Sequence, residues 1–495
     1  MKNSSLVVFA ALIVASVTAH GQQPGLSLSG MFGDHMVLQR NSDAPIWGAA
    51  KPNEQVSVGA SWTKSIFSAV ADENGKWQTK IKTRNAGGPF KITVKSGEDS
   101  IELNDVLLGE VWICSGQSNM QWKMRGFGVD HFKEDVAKAK YPNIRFCAVP
   151  QVLALNGQDD VKAKWNSCNP KSVLAFSAVG YFFGSRLHQE LDVPIGLIST
   201  NWGGSSAEAW VSPDVLAEKF PEFKTKSDDY ERIVKEVGAV FTQRQKDKPK
   251  GLNQRSPSVL YNSMIRPVLP YSIRGVIWYQ GESNCEFPEQ YRSLFPTMIQ
   301  DWRTKWGIGD FPFYYVQIAP FKYKDIPGRA AFLREAQMMA LSEPNTGMAV
   351  TMDIGEANDI HPKKKKPVGE RLALLALARD YGKTNIVDSG PLYKSCKIEK
   401  DKMRLEFSSV GGGLVARDGK PLSHFTMAGP DKKFVLATAI IDGETVVVSS
   451  DEVSEPVAVR YGFGNADMPN LSNKEGLPAS SFRTDDWEMS TPESN

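Results

Sequence analysis

The chain is organised around Leu107-Leu108-Gly109-Glu110-Val111-Trp112-Ile113-Cys114-Ser115-Gly116-Gln117-Ser118-Asn119-Met120. Its apolar part is typical of a buried parallel strand, and it ends abruptly in small and polar residues. Ser118 therefore follows the C-terminal end of a strand, where open α/β sheets bind their ligands. Gly116 allows a sharp turn, so the Ser118 hydroxyl can point into a cleft. A serine placed in this way needs a base and an oxyanion site before it can act as a nucleophile.

The composition is that of an ordinary globular protein. A chain of 495 residues is too long for one core, and we expect about two to four domains. Hydrophobic residues make up 41% of the chain, and 58 basic against 56 acidic side chains give a formal charge of +2. This balance gives no indication of a nucleic-acid-binding protein.

Residues 1–22 have the pattern of a secretory signal peptide. Lys2 supplies a positive charge, Leu6 to Val17 form an apolar core, and Val17-Thr18-Ala19 form a small-residue cleavage site. The apolar core is too short to span a bilayer comfortably, and no later segment is long enough to do so. We therefore expect an exported protein, either periplasmic or secreted, with no membrane span.

The chain has five cysteines: Cys114, Cys147, Cys168, Cys285 and Cys396. An odd number leaves at least one of them unpaired within the chain. Cys147 and Cys168 flank a loop-like segment and are the best candidates for a disulfide in an oxidising compartment. Cys114 is predicted to be an inert thiol in the core.

Three regions follow the signal peptide. Residues 23–105 show period-two alternation and frequent turn signals, which predict a small β-sandwich. Residues 106–388 alternate between strands and helices, which predicts a doubly wound, mostly parallel sheet of the α/β class. Residues 389–495 are again β-rich, so we expect β domains on both sides of the α/β domain.

Within residues 106–388, further elements are predicted from the hydrophobic spacing. Strands are expected at 193–198, 273–279, 313–318 and 348–352. Helices are expected at 173–191, 213–250, 288–306, 329–341 and 368–381. The basic run Lys363 to Lys366 precedes the last of these helices and is most typical of a solvated face.

Three of these strand ends carry residues that suit a serine hydrolase. Gly203-Gly204 can offer a backbone N–H to an oxyanion, because glycines permit close approach. Gln280 can offer a side-chain amide for the same purpose. Asp359 and His361 place a carboxylate beside an imidazole. Because each group follows a strand, the sheet can bring all of them to one edge.

Position in the chain narrows the choice of base among six histidines. Four are set aside because they fall in the signal region, the flanking β regions or an amphipathic helix: His20, His35, His188 and His424. His131 lies in a polar segment and stays an alternative. His361 is preferred because it lies at a strand-to-helix transition next to an acid.

Each of these residues also has a purely structural interpretation. Ser118 alone is most simply explained as a helix N-cap, and Gly203-Gly204 alone as a turn. His361 beside Pro362 could be a loop residue, and Asp359 a cap or a surface charge. The catalytic interpretation depends on the four segments occurring together.

Several motifs in the same order resemble the sialate O-acetylesterase family of SGNH-type (GDSL-like) serine esterases. They are Met31 to Arg40, Gly116-Gln117-Ser118-Asn119-Met120, Gly203-Gly204, Trp278-Tyr279-Gln280-Gly281-Glu282-Ser283-Asn284, Asp359-Ile360-His361-Pro362 and Pro469-Asn470-Leu471. The resemblance covers nearly the whole mature chain. It implies an SGNH-hydrolase domain with a flavodoxin-like sheet.

The resemblance also implies residue roles. Ser118 is the nucleophile, and His361 acts first as general base and then as general acid. The backbone N–H groups of Ser118 and Gly204 form part of the oxyanion hole. A side-chain amide completes it, assigned to Gln280, with Asn284 as the alternative.

The position of the triad acid differs from that in related SGNH enzymes. SGNH enzymes have an Asp three residues before the histidine, and here that position is Asn358. Asp359 lies two residues before His361, so in extended backbone both side chains point the same way. Other groups could take this role: Asp353, Glu282 or a backbone carbonyl.

The resemblance implies an esterase that needs no metal or organic cofactor and forms an acetyl-Ser118 intermediate. The expected substrate is an acetylated glycan, with O-acetylated sialic acid preferred. An arginine near the site would favour sialate, because it can bind the sugar's carboxylate. The alternatives are an acetyl-xylan or other hemicellulose esterase, and a non-catalytic glycan-binding protein.

Overall fold

The computed structural model describes residues 25–126, 131–245, 248–324 and 328–488. The predicted signal peptide at 1–22 lies outside the described residues. Within the described ranges, no helix combines the length and the apolarity needed to cross a bilayer.

The chain contains strands and α-helices throughout the described ranges. The strands of the N-terminal region and the first sheet strand are β1 Ser27–Leu28, β2 Val37–Gln39, β3 Asp43–Ala49, β4 Gln55–Ala60, β5 Ile66–Val70, β6 Lys76–Lys82, β7 Gly87–Ser96 and β8 Asp99–Gly116. The next are β9 Ile144–Ala148, β10 Leu153–Ala154, β11 Trp165–Ser167, β12 Ile195–Asn201, β13 Val240–Phe241, β14 Gly275–Tyr279, β15 Phe313–Val316 and β16 Thr346–Ala349. The C-terminal strands are β17 Leu392–Glu399, β18 Lys402–Ser408, β19 Leu414–Ala416, β20 Phe425–Ala428, β21 Phe434–Leu436, β22 Thr438–Asp442, β23 Thr445–Ser449, β24 Ala458–Tyr461, β25 Leu471–Asn473 and β26 Phe482–Arg483. The helices are α1 Ser118–Gln121, α2 Lys133–Lys138, α3 Ala178–Leu191, α4 Pro213–Lys219, α5 Lys224–Val237, α6 Pro288–Trp306, α7 Arg329–Met339 and α8 Lys365–Arg379.

Strand β8 joins two regions of the fold. Its first half pairs antiparallel with β7, and its second half pairs in parallel with β12 and β14. The strand is 18 residues long and fully buried from Val106 to Gly116. The predicted boundary between residues 105 and 106 therefore falls inside one continuous strand, and no linker separates the two regions.

The sheet of the α/β region has the order β11-β9-β12-β8-β14-β15-β16. All neighbours from β9 to β16 are parallel, and only β11 at the edge is antiparallel. The five strands β8, β12, β14, β15 and β16, numbered in chain order, have the spatial order 2-1-3-4-5 that is typical of flavodoxin-like sheets, and β9 adds a further parallel strand beside β12. In such a sheet the ligand crevice lies at the carboxyl ends of the strands on either side of the first strand. Ser118 follows that strand.

Helices cover both faces of this sheet, as a doubly wound fold requires. Helices α3 and α8 pack against each other and share one apolar core with the sheet. Helices α6 and α7 pack on the opposite face. The helices predicted at 288–306 and 329–341 are observed as Pro288–Trp306 and Arg329–Met339. The stretch predicted at 213–250 is instead divided into α4 and α5.

The flanking regions are built mainly of antiparallel strands that pack onto the α/β region, and the N-terminal strand β2 pairs in parallel with β8. In the N-terminal region, β1-β3-β6 form one sheet and β4, β5 and β7 extend from β8. Their buried residues belong to the same core as one face of the α/β sheet. In the C-terminal region, three small sheets surround a separate core. The buried Arg334 of α7 anchors this region by donating to the Gly462 and Gly464 carbonyls at 3.1 and 2.6 Å.

The predicted disulfide between Cys147 and Cys168 is wrong, because both are free thiols. Cys147 lies on β9 opposite Trp165 of the antiparallel strand β11. Cys168 is three positions beyond Trp165, and the two sulfurs lie in the cores on opposite faces of the sheet. Cys114 is buried as predicted, and burial raises the pKa of its thiol well above the usual range.

Candidate active site

The backbone at the end of β8 turns sharply to place Ser118 at the start of helix α1. Gly116 has φ +127°, and a Cβ at this position would lie 2.2 Å from the Tyr279 carbonyl oxygen. Only glycine tolerates both the backbone angle and the close neighbour. The Gln117 N–H then donates to the same Tyr279 oxygen at 2.9 Å, which attaches the turn to β14.

Ser118 and His361 are in direct contact although 243 positions separate them in the chain. The His361 Nε2 atom lies 2.8 Å from the Ser118 Oγ atom, a hydrogen-bonding distance. His361 belongs to the loop between β16 and α8, at the same sheet edge as Ser118. Burial lowers the pKa of His361, and the positive charge of Lys365 lowers it further. A neutral imidazole is therefore favoured, which is the form able to accept the serine proton.

The predicted acid, Asp359, is close to His361 but does not form the usual triad bond. Its Oδ1 atom lies 3.8 Å from His361 Nδ1, beyond hydrogen-bonding distance. The same oxygen accepts the backbone N–H of His361 at 2.9 Å. Asp353, an alternative acid, is occupied by two short bonds to Arg371 at 2.7 and 2.6 Å. Asp359 therefore acts on the imidazole through its charge and by shaping the loop.

The Gly203-Gly204 turn lies directly against the nucleophile. A Cβ on Gly203 would be 3.3 Å from the Ser118 Cβ atom and 2.9 Å from Gln121 Oε1. The Gly203 N–H donates to that Gln121 oxygen at 2.6 Å. Gly204 follows with φ +73°. Its N–H, which is predicted to belong to the oxyanion hole, is therefore part of a turn that lies against Ser118.

The side-chain amides predicted to complete the oxyanion hole have other contacts. The Gln280 amide nitrogen donates to Asn284 Oδ1 at 2.6 Å and to the Ser205 carbonyl at 3.3 Å. The Asn284 amide nitrogen donates to Glu208 at 3.1 Å. Both residues are buried. An amide has two N–H donors, so the Gln280 assignment does not fit these contacts. Through these bonds Gln280 and Asn284 connect the loop after β14 to the segment after Gly204.

The other candidate base lies in a different environment. His131 packs edge-on against Phe132, with ring centroids 6.4 Å apart. No hydrogen bond between His131 and Ser118 is found within the described part of the chain. Across the same described residues, no group of three or more His, Cys, Asp and Glu side chains is arranged to hold a metal ion.

A buried polar cluster below the catalytic pair was not predicted. Asn119 donates to Glu282 Oε1 at 2.5 Å and to the Ile360 carbonyl at 3.1 Å, and it accepts from Lys365 Nζ. Lys365 is 1% exposed, so the interpretation of the basic run as a solvated face is wrong for this residue. The run has the composition of a surface, and its one buried member is identified only when α8 is placed against α3 and the sheet strands β15 and β16. Asn119 and Glu282 both belong to sequence motifs named above, those that follow β8 and β14.

Comparisons with known proteins identify carbohydrate esterases as relatives of this chain. The family described as carbohydrate esterase, sialic acid-specific acetylesterase matches residues 108–378. The sialate O-acetylesterase of Mus musculus is 30% identical over 432 residues, covering 78% of this chain and 79% of the mouse protein. That of Homo sapiens is 31% identical over 411 residues, covering 76% and 75%. A crystal structure of a carbohydrate acetylesterase from Xanthomonas citri is 36% identical with a TM-score of 0.82, covering 93% of this chain and 100% of that one.

Proposed function

Because the chain belongs to the family of sialic acid-specific carbohydrate acetylesterases, we propose that it deacetylates sugars through an acetyl intermediate on Ser118. Family membership makes it a carboxylic ester hydrolase with acetylated carbohydrates as its substrates. The contact of 2.8 Å between Ser118 Oγ and His361 Nε2 supports the serine mechanism most directly. The strand order and the serine after the first strand also support an SGNH-type domain.

The first step forms the acyl-enzyme. His361 Nε2 accepts the Ser118 proton while Oγ attacks the acetyl carbonyl carbon. The negative oxygen of the tetrahedral intermediate is stabilised by the N–H groups of Ser118 and Gly204. The C–O bond to the sugar then breaks, and the sugar oxygen takes the proton from His361.

The second step releases acetate. A water molecule gives a proton to His361 Nε2 and attacks the carbonyl carbon of acetyl-Ser118. When the intermediate collapses, the Ser118 oxygen leaves and recovers its proton from His361. Each residue returns to its starting state, and the reaction requires no redox change.

The serine mechanism is tested by Ser118→Ala. We expect this variant to fold normally and to release no acetate from 4-nitrophenyl acetate or from acetylated sugars. Ser293→Ala is the matched control, because Ser293 is an exposed serine on α6. A Ser118→Ala protein that retains the wild-type rate would refute the assignment. Wild-type protein inactive on every acetylated glycan would favour the glycan-binding alternative.

An exposed arginine bonded to the Gly203-Gly204 turn supports sialate as the substrate. Arg255 Nε donates to the Gly204 carbonyl at 2.9 Å, and its backbone carbonyl accepts from Ser206 Oγ at 3.3 Å. The guanidinium is thus held at the turn that touches Ser118. A planar cation there can pair with the carboxylate of a sialic acid, which acetylated xylan lacks.

The substrate class is tested with Arg255→Gln on two acetylated substrates. We expect KM for an O-acetylated sialic acid to rise about tenfold or more, and KM for an acetylated xylo-oligosaccharide to stay unchanged. An equal effect on both substrates would contradict recognition of the carboxylate. Faster hydrolysis of the xylo-oligosaccharide by the wild type would favour the hemicellulose alternative.

Export is part of the same proposal and has its own test. Full-length protein produced with residues 1–22 in a Gram-negative host is expected in the periplasm or medium, with a new N-terminus near residue 20. Protein that stays in the cytoplasm with Met1 intact would contradict the signal peptide.

A further inference from the structure

Lys365 is a buried cation that bonds to Asn119, the residue after the nucleophile. It is the first residue of helix α8 and is 1% exposed. Its Nζ atom lies 5.1 Å from the ring centre of Trp122 and 5.8 Å from that of Tyr279. Burial lowers its pKa to about 7. Burial of an ammonium group is costly, so its retention beside the catalytic pair points to a role in the site.

The amide of Asn119 connects three loops of the site. Asn119 follows the nucleophile, and its amide nitrogen donates to the carbonyl of Ile360, which precedes the base. The second donor of that amide goes to Glu282, in the loop after β14. The amide therefore holds the loop of His361 against the loop of Ser118.

Lys365 determines which way this amide points. An ammonium group has only donors, and an ionised carboxylate has only acceptors. Because Lys365 donates to the Asn119 Oδ1 atom and Glu282 accepts from the Asn119 Nδ2 atom, the Asn119 amide has one favourable orientation. If it turned over, its NH₂ group would face the ammonium and the bond to the Ile360 carbonyl would be lost.

We propose that Lys365 is a positioning residue for the Ser118–His361 pair. Its ammonium orients the Asn119 amide that ties the two catalytic loops together, and it places a positive charge beside the base. This role depends on the proposed function, since it concerns the same pair.

The charged groups around Lys365 and His361 determine the direction in which loss of the Lys365 charge shifts the pKa of His361. Asp359 and Glu356 face Lys365 from the His361 loop, and Glu282 faces it from the loop after β14. Asp359 also faces His361 and opposes the effect of Lys365 on its pKa. A positive charge disfavours the imidazolium, so removal of the Lys365 charge raises the pKa of His361. The acid limb of kcat/KM, where His361 becomes protonated, must then move to higher pH.

The test compares Lys365→Met and Lys365→Gln with Lys366→Met. Lys366 is the matched control because it lies next in the chain, but on the surface, where it pairs with Asp135 at 2.9 Å. We expect Lys365→Met to lower kcat about tenfold or more with KM little changed, because the pair is misplaced. Lys365→Gln keeps an N–H donor for Asn119, so its loss of kcat should be smaller. Both should move the acid limb upward, and Lys366→Met should not move it.

The His361 titration is also measured by NMR of the imidazole, which requires no turnover. This measurement tests Lys365 even if the esterase proposal fails, since the proposal of function is tested separately by acetate release. If Lys365→Met does not fold, Lys365→Met/Glu282→Gln removes both buried charges and is expected to titrate in the same direction. An imidazole whose pKa does not rise in the folded variants overturns the proposal, even where kcat has fallen.

Discussion

Replacement of Asp359 by Asn should reduce activity far less than loss of the acid in a hydrogen-bonded triad. The Asp359 Oδ1 atom lies 3.8 Å from His361 Nδ1. Two unit charges at about 4 Å interact by about 1 kcal/mol in water and about 4 kcal/mol at an effective dielectric of 20. The two side chains are 41% and 30% exposed, so solvent screening favours the lower value. A loss of about 1 kcal/mol corresponds to a decrease of about fivefold in kcat/KM.

The assay is the pH dependence of kcat/KM for Asp359→Asn on 4-nitrophenyl acetate. Asn keeps an oxygen for the His361 backbone N–H, so the loop is retained. The Asp359 charge raises the pKa of His361, so its removal should move the acid limb to lower pH. Glu218→Gln, at an exposed position on α4, is the control and should change kcat/KM little. Triads with a directly bonded acid lose about 10⁴-fold on this substitution. A loss above about 1,000-fold would therefore refute the reasoning from distance.

Three other predictions follow from the same site and fold. In the wild type, the acid limb of kcat/KM should lie below the ordinary histidine pKa of 6.5, because burial and Lys365 lower the pKa of His361; a midpoint above that value would contradict it. Gly116→Ala should lower the free energy of unfolding, measured in urea, by about 1–3 kcal/mol or more and should abolish most activity, because a Cβ there would lie 2.2 Å from the Tyr279 oxygen. An unchanged urea midpoint would count against this geometry. Protein purified without reductant and then denatured should show all five cysteines as free thiols in a thiol-reagent titration. A count of three free thiols would indicate that the Cys147–Cys168 disulfide forms after all.

The catalytic pair could be predicted because its position depends on backbone topology. Each predicted site residue follows a strand, and parallel strands bring their carboxyl ends to one edge. That rule brings Ser118 and His361 together without knowledge of any side-chain packing. The same rule selected Gln280, but it could not determine the direction of the side chain. The bond of Gln280 to Asn284 depends on how two neighbouring loops pack.

Lys365 shows a different limit of sequence analysis. Hydropathy averages treat four successive lysines as one exposed segment, whereas a helix directs successive side chains about 100° apart. Of the neighbours in this run, Lys366 lies on the surface and Lys365 lies in the core. The difference depends on the rotation of α8 about its axis, which is set by its packing on α3.

The continuity of β8 bears on the role of the N-terminal region. One strand carries antiparallel pairing with β7 at its start and presents the nucleophile at its end. The N-terminal sheets share one core with a face of the α/β sheet. A change that unfolds the N-terminal sheets would therefore expose the core that supports the strand of Ser118. The glycan-binding alternative treats the flanking β domains as separable modules, and the shared strand argues against that for residues 25–105. In this fold, the N-terminal region supports the active site by forming part of the same cooperative unit.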